Sequence, residues 1–342
     1  MNISFFSFFK KLFSFLLVYL LFSTSILLVI ANNEQKTTST HLNLGRTIYV
    51  DDDATGVMDG SKEHPFRYIQ DGIDVSQSGD TVFVLGGLYL ECLFIDKSIT
   101  LMGENKETTA IVSDVMPGGS IKVIADHVNI TGFKIQGREL LICIESDFCS
   151  IFNNLFIVKK SIYRMICIFL EGADNTEIIG NTVVSYDLYS QVGPAIILNN
   201  SCYTMIKDNI ISNYFYSVSL INSSINSIVH NTLNTRFGVG LYNSFNNKII
   251  WNTFPGTDVL YFVNSSNNTI SNNNFGKHGL KEQKYFGNQV KFYDSDNLFD
   301  NNYWGRPRLL PKLLFGFKTV DGKQHNTIEV DWHPAKEPVK IL

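Results

Sequence analysis

The chain has 342 residues, with 28 Lys and Arg against 32 Asp and Glu, and only 18% of it is charged. A formal charge of −4 with no basic cluster argues against nucleic-acid binding, which needs clustered Lys and Arg to release counterions. An apolar content of 44% excludes a disordered acidic chain, and the length suits either two domains or one all-β domain.

Lys10 and Lys11 precede Leu12–Ile30, nineteen residues without charge. A basic start followed by an apolar run reads as a signal peptide over 1–31, with Val29 and Ala31 at the small cleavage positions. The run is also long enough to stay as a membrane anchor, the only membrane contact expected. Either way the rest is exported to the cell surface or beyond. Residues 32–46 are polar and read as a linker.

An N-terminal cap and first rungs are expected over 47–120. Ile48–Val50 forms a short strand ending in Asp51, Asp52 and Asp53. Pro65 suits a helix start, and Phe66, Ile69, Gln70 and Ile73 recur at helical spacing, so a capping helix is expected over 65–76. Strands follow at 81–85, 88–95 and 99–102.

From about residue 121 to 305 an internal repeat dominates, of the form apolar-x-x-Asn-x-apolar. Its asparagines are Asn154, Asn181, Asn209, Asn231, Asn252, Asn273 and Asn301, with Thr131 as a variant first member. A second column runs in register, six of its seven members preceding the first-column asparagine by 9 or 10 residues: Glu145, Glu171, Asn199, Asn222, Asn243, Asn264 and Asp294. These columns hold much of the asparagine excess, since 26 of 33 asparagines lie between Asn153 and Asn302. Steps of 21–23 residues are too short for helical hairpin repeats, and the leucine consensus of leucine-rich repeats is absent. The expected fold is all-β: a single right-handed parallel β-helix whose rungs stack about 4.8 Å apart. Asparagine suits its corners because it tolerates left-handed backbone. The longer steps imply loops at 174–175, 187–193 and 277–286. A C-terminal cap is expected over 306–342.

These stretches resemble the NosD-like, or CASH-type, right-handed parallel β-helix proteins, including archaeal surface proteins. The resemblance rests on TIYVDDD at 47–53, PFRYIQDGIDVSQSGDTVFV at 65–84, the stretch at 86–105, the repeated rungs, NNYWGRPRLLPK at 301–312 and DWHP at 331–334. It implies extracellular carbohydrate binding or processing, often without known activity. The stretch 68–103 is also similar to the opening of pectin methylesterases. There Asp147-Phe148-Cys149-Ser150 matches only two positions of the catalytic strand, which argues against the esterase.

Glu145 and Glu171 are the candidate catalytic carboxylates, expected on adjacent rungs where stacking should raise one pKa or recruit a cation. The competing reading is that both are solvated turn residues. Asp51, Asp52, Asp53 and Asp59 could hold Ca²⁺ through oxygen ligands, or simply form a capped turn. Asp294, Asp296 and Asp300 are a similar case. Tyr186, Tyr189, Tyr203, Tyr214 and Tyr216, with Phe215, gather where sugar rings could stack, and Tyr242, Trp251, Tyr261, Tyr285 and Tyr293 continue downstream. The seven histidines are scattered, so copper handling is a minor alternative. Five cysteines without a CxxC read as buried small hydrophobes. Sequons stand at Asn129, Asn199, Asn222, Asn264 and Asn267. The sequence thus points to an exported, non-enzymatic surface protein that binds glycan or packs with other envelope proteins. A polysaccharide hydrolase or lyase is the alternative.

Overall fold

The computed structural model describes residues 45–341 except 114–119, 139, 159–165, 187–192, 256–257 and 277–289. The expected export segment and most of the linker lie outside the described residues. Gly45–Leu342 forms one compact unit. Among the described residues, no helix is long and apolar enough to cross a membrane.

The unit is a parallel β-helix with three faces. The third face is a ten-stranded parallel sheet running from Gly87–Tyr89 to Tyr303–Trp304. The broad face stacks the longest strands of the coil, such as Ile166–Glu171, Pro194–Asn199, Tyr216–Ile221 and Phe237–Tyr242. The short face stacks strands of about three residues, such as Glu177–Ile179, Met205–Lys207 and Ser227–Val229. Crossovers between parallel strands take a right hand.

Strand alternation makes the core. On the broad face Ile144, Leu170, Leu198, Leu220, Leu241, Phe262 and Phe292 are in register, one per rung, and all are buried. On the short face Ile151, Ile178, Ile206, Ile228, Ile249 and Ile270 do the same. On the third face Phe254, Phe275 and Trp304 stack ring on ring, with centroids 5.1 and 4.4 Å apart.

Three buried polar ladders close the corners. In the first, each Asn Oδ1 accepts both the backbone N–H and an Nδ2–H of the Asn one rung earlier, as Asn231 does for Asn209 at 2.9 and 3.0 Å. Each Nδ2 also donates to a carbonyl, as Asn231 does to Ile206 at 2.8 Å. The ladder runs Asn154, Asn181, Asn209, Asn231, Asn252, Asn273 and then Asn302, all buried. Asn301, expected as the last member, is exposed at a left-handed corner (φ 51) and bonds Asn272. The register settles this: Phe299, not Leu298, pairs with Ile270. Thr131 likewise pairs with Phe152, and it is the Phe133 N–H that donates to Asn154.

The second ladder is serine: Ser201, Ser223, Ser244, Ser265 and Ser295 each accept the backbone N–H of the rung before and donate to the carbonyl two residues back. The third is Asn226, Asn247, Asn268 and Asn297. The expected second column is instead an outer one: Asn222, Asn243 and Asn264 are exposed, left-handed (φ 49), and linked side chain to side chain. Its member one rung earlier is Asn200 rather than Asn199, because Asn199 pairs with Ile221 inside the strand.

The ends are closed differently. The N-terminal helix is Ile69–Val75, four residues later than expected. Pro65 lies outside it because Phe66 is drawn into a bridge with Val50. Its first N–H groups, on Ile69 and Gln70, donate to the Glu91 carboxylate at 2.8 and 3.1 Å. Ile69, Gly72 and Ile73 are buried against the first rungs. A Cβ at Gly72 would come within 3.1 Å of Val50 and Val82. At the other end the hairpin Lys312–Val320 and Lys323–Asp331 supplies two carboxylates that terminate the asparagine ladders. Asp331 accepts from Asn302 and from Trp304 Nε1, and Glu329 accepts the Asn297 N–H at 2.9 Å. The Asp331 carboxylate fits there because no further rung follows to take donated hydrogens. The loop expected at Asp174–Asn175 is a regular corner, since Asp174 and Asn175 bond the next rung in register. The extra residues of that step lie between Val158 and Ile166.

Asn302→Ala is expected to lower the unfolding free energy by roughly 3 kcal/mol, because it orphans buried groups of Asn273 and Ile270. Asn301→Ala should cost only about 1 kcal/mol, the left-handed penalty. Denaturant unfolding of the two variants checks the order. Burial pushes the Glu329 carboxyl up to about 8, and its Oε2 has no hydrogen-bond partner. The folded group therefore stays protonated where the unfolded one ionises. Stability from this site is full below the ordinary carboxylate pKa and is lost as pH rises towards 8. Glu329→Gln should flatten the Tm-against-pH curve between pH 5 and 8 and raise Tm at pH 8.

Candidate functional site

On the broad face, residues that alternate with the core point outward, and there the strands carry aromatic rings. Val239 and Leu241 are buried, so Gly240 and Tyr242 face out. The Tyr242 ring lies over Gly240, where a Cβ would meet it at 3.1 Å. One rung on, Tyr261 pairs with Gly240, and its ring is 5.9 Å from Tyr242. Tyr293 follows at 5.6 Å and Phe317 at a further 5.6 Å. Three rungs and the C-terminal hairpin thus present an unbroken row of rings parallel to the coil axis. The row begins in a cluster: Tyr216 stacks on Phe237 at 4.9 Å, Phe215 stands against both, and the Arg236 guanidinium lies 5.3 Å from the Phe215 ring. The Tyr216 and Tyr242 side chains are hydrogen-bonded, and burial raises the Tyr242 phenol above its usual range. Burial raises Tyr261 as well. These phenols stay neutral at physiological pH. The row can stack on flat apolar faces and donate hydrogen bonds at its edges.

The five expected tyrosines are not one group. Tyr216 belongs to the broad-face cluster. Tyr186 is 71% exposed beside the third-face strand Thr182–Ser185, and Tyr203 is 57% exposed at a corner. Tyr214 is buried and bonds Cys167 Sγ at 2.8 Å, so it is a core residue and no ligand contact. Tyr189 lies outside the described residues. The signal that separates Tyr216 from Tyr214 is strand register: Tyr216 pairs with Phe237 in the broad-face strand, whereas Tyr214 precedes that strand.

Glu145 and Glu171 do sit on adjacent rungs, since Ile144 pairs with Leu170. They are not poised against each other. Glu145 pairs with Lys122 at 3.1 Å, while the two Glu171 oxygens accept from Asn199 and Asn200 at 2.7 and 3.0 Å. The expected repulsion is relieved by a cation on one side and amides on the other. A further acidic column, Asp126, Asp147 and Asp174, was missed by spacing. Each carboxylate accepts a backbone N–H from the next rung at 2.6–2.9 Å. That bond is where the Asp147 of the esterase-like fragment is engaged.

Asp51, Asp52 and Asp53 offer oxygens within 4.8 Å of one another. Asp51 accepts the Asp53 N–H and Asp52 the Leu88 N–H. Asp59 is not part of the group, because it caps a separate turn, where hydrogen bonds from the Ser61 side chain and then the Ser61 N–H lower its pKa. Asp294, Asp296 and Asp300 are dispersed onto Thr319, Lys318 and His333. None of the five cysteines is paired, and Cys143, Cys149 and Cys167 are buried.

No family model and no curated protein matches the chain. Among solved structures it is similar to XylC in complex with xylose (10% identity, TM-score 0.56, covering 84% of this chain and 73% of that one). It is similar to the Dettilon tailspike protein (15% identity, TM-score 0.54, covering 78% of this chain). It is also similar to alginate lyase from Paenibacillus sp. str. FPU-7 (12%, 0.53, covering 76% of this chain and 98% of that one). The chain spans 63% of the tailspike's length. At these identities the likeness is one of fold, that of the parallel β-helix.

Proposed function

We propose that this is an exported cell-surface β-helix protein whose broad face binds carbohydrate without cleaving it. The carrying observation is the row Tyr242, Tyr261, Tyr293 and Phe317, with rings 5.6–5.9 Å apart along the axis. Sugar rings have apolar faces rimmed by hydroxyls, which neutral phenols in a row can meet by stacking and by hydrogen bonds. The fold is shared with an alginate lyase and with a protein solved with xylose, which supports carbohydrate as the ligand class. Export rests on the segment 1–31, and packing with other envelope proteins fits the same location. The resemblance of the sequence to NosD-like proteins supports this location too. A hydrolase or lyase is the second reading, favoured by the lyase among the similar structures. Against it, the candidate carboxylates Glu145 and Glu171 are engaged by Lys122 and by amides. Copper handling is not advanced: His325 lies on the C-terminal hairpin, and His333 bonds Asp300.

Binding of xylohexaose, cellohexaose and polygalacturonate, followed by calorimetry and by reducing-end release, tests the proposal. The expected result is binding without cleavage, weakened tenfold or more, about 1.4 kcal/mol, by Tyr242→Ala with Tyr261→Ala. Cleavage, or binding indifferent to those substitutions, contradicts it. Calcium at Asp51–Asp53 is proposed as a structural ion. Millimolar Ca²⁺ should raise Tm, and Asp53→Asn should reduce that rise; an unchanged Tm removes the site.

A further inference from the structure

The coil turns twice around each short-face strand, and most of these turns place one residue in the left-handed region. At the corner before the strand, Asn175, Asn246 and Asn267 hold φ of 53, 58 and 60. At the corner after it, Asn153, Gly180, Asp208, Asn272 and Asn301 hold φ between 51 and 64. Those residue types tolerate this backbone. Other rungs break the rule. His127, Phe148, Tyr203 and Ile225 stand at the first corner with φ of 60, 56, 57 and 61, the His127 and Phe148 rings stacked at 5.0 Å, and His230 and Trp251 stand at the second with 58 and 60. Left-handed backbone is disfavoured for an ordinary residue, and a β-branched residue there is an outlier.

Burial does not explain the exceptions. Phe148, Tyr203 and Ile225 are 49, 57 and 46% exposed, and Trp251 is only partly covered. Four of them fall on three successive rungs, 203–208, 225–230 and 246–251. Tyr203 and Ile225 line one ridge, with His230 and Trp251 on the other, their ring centroids 6.3 Å apart. Between the ridges lies exposed Met205, in register with Ser227 and Lys248. At the second ridge Asp208 stands 3.7 Å from His230 and 3.6 Å from Lys207. Strained side chains held out in solvent mark a place where strain is kept for use.

We infer that the short face between these two ridges is a second carbohydrate-binding surface, separate from the broad face. The Trp251 and Tyr203 rings would take the apolar faces of pyranose rings, and Asp208, His230 and Lys207 would bond their hydroxyls. A protein partner would require a contiguous apolar patch, whereas here the apolar side chains are interrupted by Lys207, Asp208, Ser227 and Lys248. The surface shares with the broad-face proposal only the class of ligand, and the two fail separately.

Asparagine is the residue this fold itself uses at these corners, which gives a test a purely structural role would not pass. In the full chain carrying Tyr242→Ala and Tyr261→Ala, to silence the broad face, binding of xylohexaose, cellohexaose and polygalacturonate is measured together with Tm. Adding Ile225→Asn or Trp251→Asn should raise Tm by a few degrees and weaken the remaining binding at least tenfold. Gain of stability with unchanged binding would overturn the inference. So would a fall in Tm, which would mean the side chains pack, or the absence of any binding by these probes once the broad face is silenced.

Discussion

The structure depends on one interaction: a buried side chain that satisfies the backbone and side chain of the rung before it. A tight corner between short strands leaves an inward N–H with no sheet partner, and an unsatisfied buried donor costs of order 1–3 kcal/mol. Asparagine solves this with one amide. Its oxygen accepts two hydrogens, and its nitrogen donates to a carbonyl and to the next rung. Because each amide needs its neighbour, the ladders make the coil cooperative along its axis and fix the register of every strand. The Asp331 carboxylate of the C-terminal hairpin follows from the same logic, since the last rung needs an acceptor and no donor.

With the interior taken by ladders and stacked isoleucines, chemistry is confined to outward positions of the strands and to the corners. The broad face carries long strands and therefore several outward positions per rung, enough for rings to interleave between two columns. Gly240 shows the adjustment: its missing side chain makes room for the Tyr242 ring. The short face offers fewer positions, so its distinctive residues appear at the corners, at a cost in backbone strain.

Much of the architecture was legible in the sequence because a ladder must repeat the same residue type at the coil period. Asn154 to Asn273 stand where their spacing places them. The failures are one-residue errors in tandem asparagines. Asn301 and Asn302, or Asn199 and Asn200, are equivalent in composition, and only strand register tells which is inside. The helix start failed because a bridge to Val50 captured Phe66. The candidate site was less legible. Aromatic residues occur inside and outside, and Tyr214 and Tyr216, two residues apart, have opposite fates. Glu145 and Glu171 were rightly placed on adjacent rungs, but their partners Lys122 and Asn200 are remote in sequence.

The claim that the aromatic row is the ligand surface is tested most directly by hydroxyl-radical footprinting of the full chain, with and without saturating oligosaccharide. The account predicts that Tyr242, Tyr261 and Tyr293 become protected together, while the acidic end of the same face, at Glu145 and Glu171, is unchanged. Protection centred on Glu145 and Glu171, with the tyrosine row still reactive, would contradict it.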